Sequence, residues 1–347
     1  MCILGCGKQG WLIGTTFLHW NYPTTAVDIR ENLLQNFPGE KKVLSVESPE
    51  IVPFLRDFAL VVNALPAKWG MKGIQSALKA RVNVVDITFH DEDLRFLQEE
   101  IARAGITVIP DAGVAPGLSH ICAGNAFSHL GRLTHLSIYV GGVPKNPLPP
   151  YNLCVTFHPD DLLAEYRRKV RIIQQGSLTS VEPLSGLESI SFLHRQWECF
   201  YTDGLRSLLF TIPAENMQEK TIRYPGHCDW LKKTPEAELK AIFEEYATRN
   251  IPDMLLFRVI AKNPHKTRVY EMVDYYDEQR KITAMARTTG FTSAIIGKLL
   301  LEGKIPRSGL LFPEILGQDE GFFSLFLKEL HRLGITLNVR EKSSLEN

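Results

Sequence analysis

Short apolar runs recur through the first 110 residues, separated by stretches whose apolar positions fall at helical spacing. "CIL" leads into a helix opening near Lys8. "TTAVDI" (24–29), "KVLSV" (42–46), "FALVVNAL" (58–65), "VNVVDI" (82–87) and "ITVIP" (106–110) read as further strands. Between the later strands, "DEDLRFLQEEIARAG" carries acids in its first turn and Gly105 at its end, as a helix should. Strands alternating with helices predict a parallel sheet with right-handed crossovers.

The pattern changes after "DAGVAPGLSHI" (111–121). A helix over Leu118–Leu130 is followed by longer strands: "LTHLSIYVGG", "YNLCVTFH", "RKVRIIQQG", "QWECFYTDG" and "KTIRY". A helix over 235–249 intervenes, with Thr234 as its cap and Pro235 at the first helical position. "MLLFRVIAK" and "TRVYEMVDYYD" then alternate with period two and predict a hairpin. From Thr283 the chain is helical again, with apolar faces that need a sheet to cover. The expected architecture is α/β: residues 1–117 plus 283–347 form a Rossmann-type doubly wound parallel sheet. Residues 118–282 form an inserted α+β domain on a mixed, mostly antiparallel sheet, and the C-terminal helices return to the first domain.

Composition narrows the function classes. Lys+Arg and Asp+Glu are equal at 39 each, with no concentrated basic tract, so nucleic acid is not an expected partner. No apolar run reaches the ~20 residues of a membrane span, and polar Lys8 and Gln9 interrupt any signal-peptide order at the start. Six scattered cysteines show neither CxxC nor finger spacing. They predict reduced, mostly buried thiols in a cytoplasmic protein. With no HxxxH or HxxE pair, no metal site is expected.

"GCGKQG" places glycines at Gly5, Gly7 and Gly10, after a strand and at the opening of a helix, and Asp28 ends the next strand. In that context the spacing predicts a dinucleotide site. Gly5 makes the tight turn, Gly7 lets the backbone approach a pyrophosphate at the positive end of the helix, and Gly10 lets helix and strand pack closely. Asp28 would accept from the adenosine ribose and repel a 2′-phosphate, which favours NAD over NADP. Arg30 is the nearby cation that complicates that choice.

"PDAGVAPGLSHI" (110–121), "IYVGGVP" (138–144), "KTIRYPGH" (220–227), "YEMVDYYDEQRKITAMARTTGF" (270–291) and "SGLLFPE" (308–314) together resemble the saccharopine dehydrogenase-like family, most closely its lysine 6-dehydrogenase branch. The similar segments keep the family's order and run from the glycine motif almost to the C-terminus. The resemblance implies a nicotinamide cofactor, a small amino-acid substrate and a homodimer or higher homo-oligomer. It implies oxidation of an amine to an imine, or the reverse. Where glutamate-forming saccharopine reductases carry "LDPG", this chain has "VAPG", so Ala115 replaces an acid. Phe89 stands near a tyrosine of those enzymes, and "DITFH" (86–90) departs from the "DLGGH" type of segment.

Amine oxidation needs a neutral amine, a hydride acceptor and proton handling during imine hydrolysis. In open α/β sheets such groups lie beyond the carboxyl ends of strands. Asp86, His90 and Asp111 follow strands at that edge and are the catalytic candidates. Asp86 would orient the nicotinamide ribose, take a substrate proton, or simply cap a turn. His90 titrates in the right range, or is a helix-entry residue. Asp111 would bind the substrate amine or anchor its loop. On the resemblance, Arg223 clamps the substrate carboxylate through its guanidinium fork, with His227 beside it binding or bracing. The cofactor contacts are Gly5, Gly7, Lys8, Gln9, Gly10 and Asp28, with Ala64, Leu65, Pro66, Asp86, Val114 and Pro116. Thr288, Thr289 and Gly290 would close over the cofactor or pack as helix. The expected activity is NAD-dependent oxidation of a C–NH bond of lysine or a similar amino acid. The alternatives are a saccharopine- or carboxyspermidine-type imine reductase and a non-catalytic NAD-binding regulator.

Overall fold

A computed structural model of the chain describes residues 1–305 and 308–343. Residues 306–307 and 344–347, part of the tail assigned to the first domain, lie outside the described residues. The first stretch runs β1 (Cys2–Leu4), α1 (Lys8–His19), β2 (Thr25–Asp28), α2 (Glu31–Leu34), β3 (Glu40–Val43), α3 (Ile51–Leu55), β4 (Leu60–Asn63), α4 (Ala67–Ala80), β5 (Asn83–Asp86), α5 (Gln98–Ala104) and β6 (Thr107–Ile109). The middle follows as α6 (Leu118–Leu130), β7 (Leu133–Pro144), α7 (Pro159–Glu165), β8 (Val170–Gln174), β9 (Ser177–Val181), β10 (Glu188–Phe192), β11 (Arg195–Tyr201) and α8 (Leu208–Thr211). It continues through β12 (Ala214–Arg223), α9 (His227–Lys233), α10 (Glu236–Thr248), β13 (Asp253–Lys262) and β14 (Lys266–Tyr275). The tail is α11 (Ala284–Leu301), β15 (Gly309–Leu310), α12 (Pro313–Gly317), α13 (Glu320–Arg332) and β16 (Asn338–Ser343).

The chain forms two compact units, Met1–Leu118 with Ala286–Leu316 and Glu320–Leu333, and Ser119–Met285 with Gly317–Asp319 and Gly334–Asn347. In the first, the strand order is β15-β6-β5-β4-β1-β2-β3 and every pairing is parallel. Val61, Val62, Val84, Val85 and Val108 are fully buried, as unbroken apolar runs in a sheet covered on both faces should be. Helix α11 closes on α1: a Cβ on Gly290 would lie 3.1 Å from Leu12, and one on Gly297 would lie 2.9 Å from Phe17. Lys298 ties α11 to Glu329 of α13 at 2.7 Å. The apolar tail helices therefore cover the first sheet.

The second unit is built on a mixed sheet ordered β10-β11-β12-β7-β13-β14-β16, with β8 joined to β12 and β9. β12 and β7 are parallel, and the other pairings are antiparallel. The predicted hairpin is β13–β14, in register from Met254↔Tyr275 to Lys262↔Thr267.

Several local expectations need correction. "YNLCVTFH" forms no strand. Asn152 turns the chain at φ 49° and accepts from the Leu148 N–H, and Leu153 and Val155 bury themselves in an apolar cluster with Tyr166 and Phe243. Alternation there reflects packing rather than pairing. "RKVRIIQQG" does form a strand as expected, β8, one arm of a β8–β9 hairpin. The α10 cap position is Pro235, while Thr234 donates back to the Trp230 carbonyl at 2.8 Å. The terminal strand β16 pairs with β14 of the second sheet instead of joining the first unit, because "NVREKS" supplies an edge partner and no apolar face. Among the described residues, no helix is long and apolar enough to cross a membrane. All six cysteines are buried and unbridged.

Candidate active site

The turn between β1 and α1 is shaped by its glycines. Gly5 has φ +92°, and a Cβ there would fall 2.5 Å from the Ala64 carbonyl oxygen. A Cβ on Gly10 would fall 1.9 Å from the Gly5 carbonyl oxygen. Only glycine fits either place. Gly7 differs, because its φ is −70° and nothing lies within 4 Å of where a Cβ would go. The fold does not require glycine at Gly7, yet the space in front of it is open.

Gly7 caps α1, whose first bond is Trp11 N–H to the Gly7 carbonyl at 2.8 Å. The first-turn N–H groups of a helix lack partners within it, and α1 has no acid in that turn to compensate them. Lys8 and Gln9 open the helix, with Lys8 exposed. This is an anion-accepting end. Beside it, Asp28 accepts from the Cys6 N–H at 2.9 Å through one carboxylate oxygen and from the Arg30 N–H at 2.9 Å through the other. The open space at Gly7, the uncompensated helix end and the acid closing β2 fit the pyrophosphate and ribose of a dinucleotide.

The neighbouring strand ends bring two of the three catalytic candidates together. His90 Nε2 lies 2.5 Å from Asp86 Oδ2, with both side chains essentially fully buried. Asp86 Oδ1 accepts from the Thr88 N–H at 3.1 Å, and Thr88 Oγ1 donates to the Leu65 carbonyl at 3.1 Å. The "ALP" turn is thereby fixed to this loop, and Pro66 caps α4. Gly70 lets α4 press onto the dyad: a Cβ there would sit 2.2 Å from Thr88 and 2.9 Å from His90. Asp111 is buried at φ 52°, and the adjoining Ala112 N–H donates to the Asp86 carbonyl at 2.8 Å. The turn beyond it folds on itself, since a Cβ on Gly117 would fall 1.9 Å from the Gly113 carbonyl oxygen. Val114 is buried there, and the Ala115–Pro116 bond is cis.

Arg223 and His227 belong to the second unit and are joined there by Tyr166. Arg223 ends β12 and is buried. Its Nε donates to the Tyr166 hydroxyl at 2.8 Å and its Nη1 to the Ile222 carbonyl at 2.9 Å. His227 faces the same hydroxyl through Nε2 at 3.5 Å and pairs with the Tyr151 carbonyl through Nδ1 at 3.2 Å. Burial first, and the Arg223 charge second, push His227 down to about 3, so the ring is neutral. A neutral ring donating from Nδ1 must accept at Nε2, so the Tyr166 proton points to it. The phenol is then free to accept from Arg223.

Sequence reasoning missed Asn63, Glu165 and Tyr166. Asn63 is a polar residue inside the apolar run "FALVVNAL", a legible signal. It is fully buried, and its Nδ2 donates to the Gly70 carbonyl at 2.9 Å. Nothing in "HPDDLLAEY" marks Glu165 and Tyr166, which reach Arg223 only through the fold.

A parallel sheet ordered 3-2-1-4-5-6 with a glycine turn after its first strand is a dinucleotide-binding Rossmann arrangement. Residues 113–335, well over half the chain, match the family described as Saccharopine dehydrogenase C-terminal domain. The chain belongs to the saccharopine dehydrogenase family. It is 25% identical over 211 residues to saccharopine dehydrogenase [NADP(+), L-glutamate-forming] of Saccharomyces cerevisiae, covering 56% of this chain and 47% of that one. It is 24% identical over 111 residues to alpha-aminoadipic semialdehyde synthase of Arabidopsis thaliana, covering 29% of this chain and 10% of that one. The match thus spans less than half the length of either relative. The fold is shared with the apo yeast L-Glu-forming saccharopine dehydrogenase, at TM-score 0.78, 20% identity and coverage of 98% and 99%. It is also shared with a homospermidine synthase from Legionella pneumophila solved with NAD, at TM-score 0.65, 14% identity and coverage of 99% and 91%.

Proposed function

We propose that the protein is an NAD-dependent oxidoreductase acting on the C–NH bond of a small amino acid, oxidatively deaminating lysine or a close analogue through an imine. The observation that carries this reading is the glycine turn, in which Gly5 and Gly10 are demanded by packing whereas the space in front of Gly7 is open, leaving room for a pyrophosphate to approach the backbone. The bound nicotinamide supplies the hydride acceptor. Asp28 accepts from the adenosine ribose, and its charge opposes a 2′-phosphate, which supports NAD over NADP. Lys8, Gln9, Ala64, Leu65, Pro66, Val114 and Pro116 line the cofactor.

In the dyad, Asp86 holds His90 by its Nε2 edge, so Nδ1 takes the proton from the substrate ammonium and returns one as water adds to the imine. Asp86 thereby fixes the ring and stabilises its protonated form. Asp111 receives the amine. Arg223 holds the substrate carboxylate and His227 braces Arg223 through Tyr166. A reductase of a saccharopine- or carboxyspermidine-type imine is the second reading, supported by the shared fold of the homospermidine synthase.

The test is a screen of amino acids and polyamines for NADH production, with Asp86→Asn and His90→Gln alongside. Turnover of an amino acid that falls at least a hundredfold in both variants, with NAD binding retained, supports the reading. NAD binding without turnover of any amine would make the protein a regulator, and NADH consumption by an imine alone would favour the second reading.

A further inference from the structure

Arg223 and Glu165 face each other across 3.7 Å, too far for a hydrogen bond. Two flanking side chains hold them apart. Tyr166 and the Ile222 carbonyl take Nε and Nη1 of the guanidinium, so Nη2 makes no hydrogen bond among the described residues. Thr221 Oγ1 donates to Glu165 Oε1 at 2.8 Å, leaving Oε2 without a protein donor among the described residues. A pair serving only as mutual counter-ions would close into a fork with two short bonds. This one is braced open.

A chain of hydrogen-bonding groups stands behind Glu165. Glu219, Thr202, Thr221 and Glu165 are linked in series at 3.2, 2.9 and 2.8 Å. Glu219 is 6% exposed, whereas the Glu165 side chain is 24% exposed. Burial, followed by the nearby Glu165 charge, raises Glu219 well above the ordinary carboxyl range. Thr202 donates to Glu219 and Thr221 donates to Glu165, so each carboxyl is met by a hydroxyl donor. Gly204 permits this burial, since a Cβ there would fall 2.2 Å from Glu219 Oε2.

We propose that Glu165 is a specificity-determining residue that binds the free α-ammonium of the amino-acid substrate while Arg223 binds its α-carboxylate. This rests on the amino-acid reading above. The two charged groups of a zwitterion are separated by one carbon, and a cation and an anion braced a few ångströms apart match them in sign and order. A diamine lacks the carboxylate and would set a positive charge against Arg223. An ω-amino acid has no α-ammonium and leaves Glu165 unanswered.

The test is calorimetric binding to the NADH-loaded protein, in which an amine cannot be oxidised. The probes are lysine, 6-aminohexanoate and 1,5-diaminopentane, on wild type, Glu165→Gln and Glu219→Gln. Lysine should bind wild type about tenfold or more tightly than 6-aminohexanoate. Glu165→Gln should erase that difference by weakening lysine alone. Glu219→Gln, whose amide oxygen can still accept from Thr202, should preserve it. An unchanged ratio in Glu165→Gln, equal weakening of both acids, or no lysine binding to wild type would overturn the proposal. Tight binding of the diamine would overturn it too, while leaving the oxidoreductase reading standing, because NADH binding is measured separately in the same experiment.

Discussion

His227 should give the protein a distinctive weakness in acid. The ring is 3% exposed and is held down to about 3 from an ordinary 6.5, by burial and then by Arg223. The folded value lies below the unfolded one, so the contribution to stability is full above pH 6.5 and is lost as pH falls toward 3. Each pH unit in that window removes about 1.4 kcal/mol. Between pH 7 and pH 4.5 the loss is therefore about 3 kcal/mol, large against a total stability of roughly 5–15 kcal/mol. His227→Asn keeps an N–H for the Tyr151 carbonyl but cannot titrate. Urea unfolding followed by tryptophan fluorescence would read the effect locally, since the Trp230 ring centroid lies 5.0 Å from that of His227. Carboxylates destabilise both proteins in acid, so the difference between them isolates the ring. Wild type should lose about 3 kcal/mol more than His227→Asn over that range. Parallel pH profiles would refute the account of a neutral, buried histidine bracing Arg223.

Three further outcomes are expected. Asp28→Ala should weaken NAD binding about ten- to a hundredfold, by loss of an ionised acceptor, whereas Asp28→Ser beside Arg30 should admit NADP; titrations with both cofactors measure this, and a wild-type preference for NADP would contradict it. Arg223→Lys keeps the charge but loses the planar guanidinium that holds Tyr166 and the Ile222 carbonyl while presenting Nη2. KM for the amino acid should rise about one to two decades with NAD affinity unchanged, and steady-state kinetics showing equal KM would remove Arg223 from the site. Removing residues from Thr283 onward strips α11 and α13 from the first sheet and should abolish NAD binding; a soluble truncated protein that binds NAD tightly would show that those helices are dispensable.

The first sheet was legible because its strands are buried on both faces and its crossovers are helical, so each element carries its own periodic signature. Asp28 and the three glycines were legible for a related reason: the turn that needs them is local. The second unit was harder to read. Leu153 and Val155 alternate like strand residues yet pack beneath helices, and "NVREKS" is polar at almost every position yet completes a sheet edge. Candidate residues followed the same rule. Asp86 and His90 lie four positions apart, and their ends of strand and loop could be placed from sequence. Their 2.5 Å contact could not. Glu165 and Tyr166 end a short helix 57 or more positions before Arg223, and only tertiary folding brings them to it. Arg223 read from sequence alone had a free fork, whereas in the structure two of its nitrogens are already engaged.

The most direct measurement concerns Gly7. Its backbone conformation is open to any residue, and a Cβ there would meet no protein atom within 4 Å. Gly7→Val should therefore lower the melting temperature of the ligand-free protein by no more than about 2 °C, because Gly7 caps α1 only through its backbone carbonyl, which valine keeps, and has no core or strain role. The same variant should weaken NAD binding about a hundredfold or more, because the valine methyls occupy the space the pyrophosphate needs. Gly7→Val protein that folds normally and binds NAD as tightly as wild type would contradict the dinucleotide site on which the account rests.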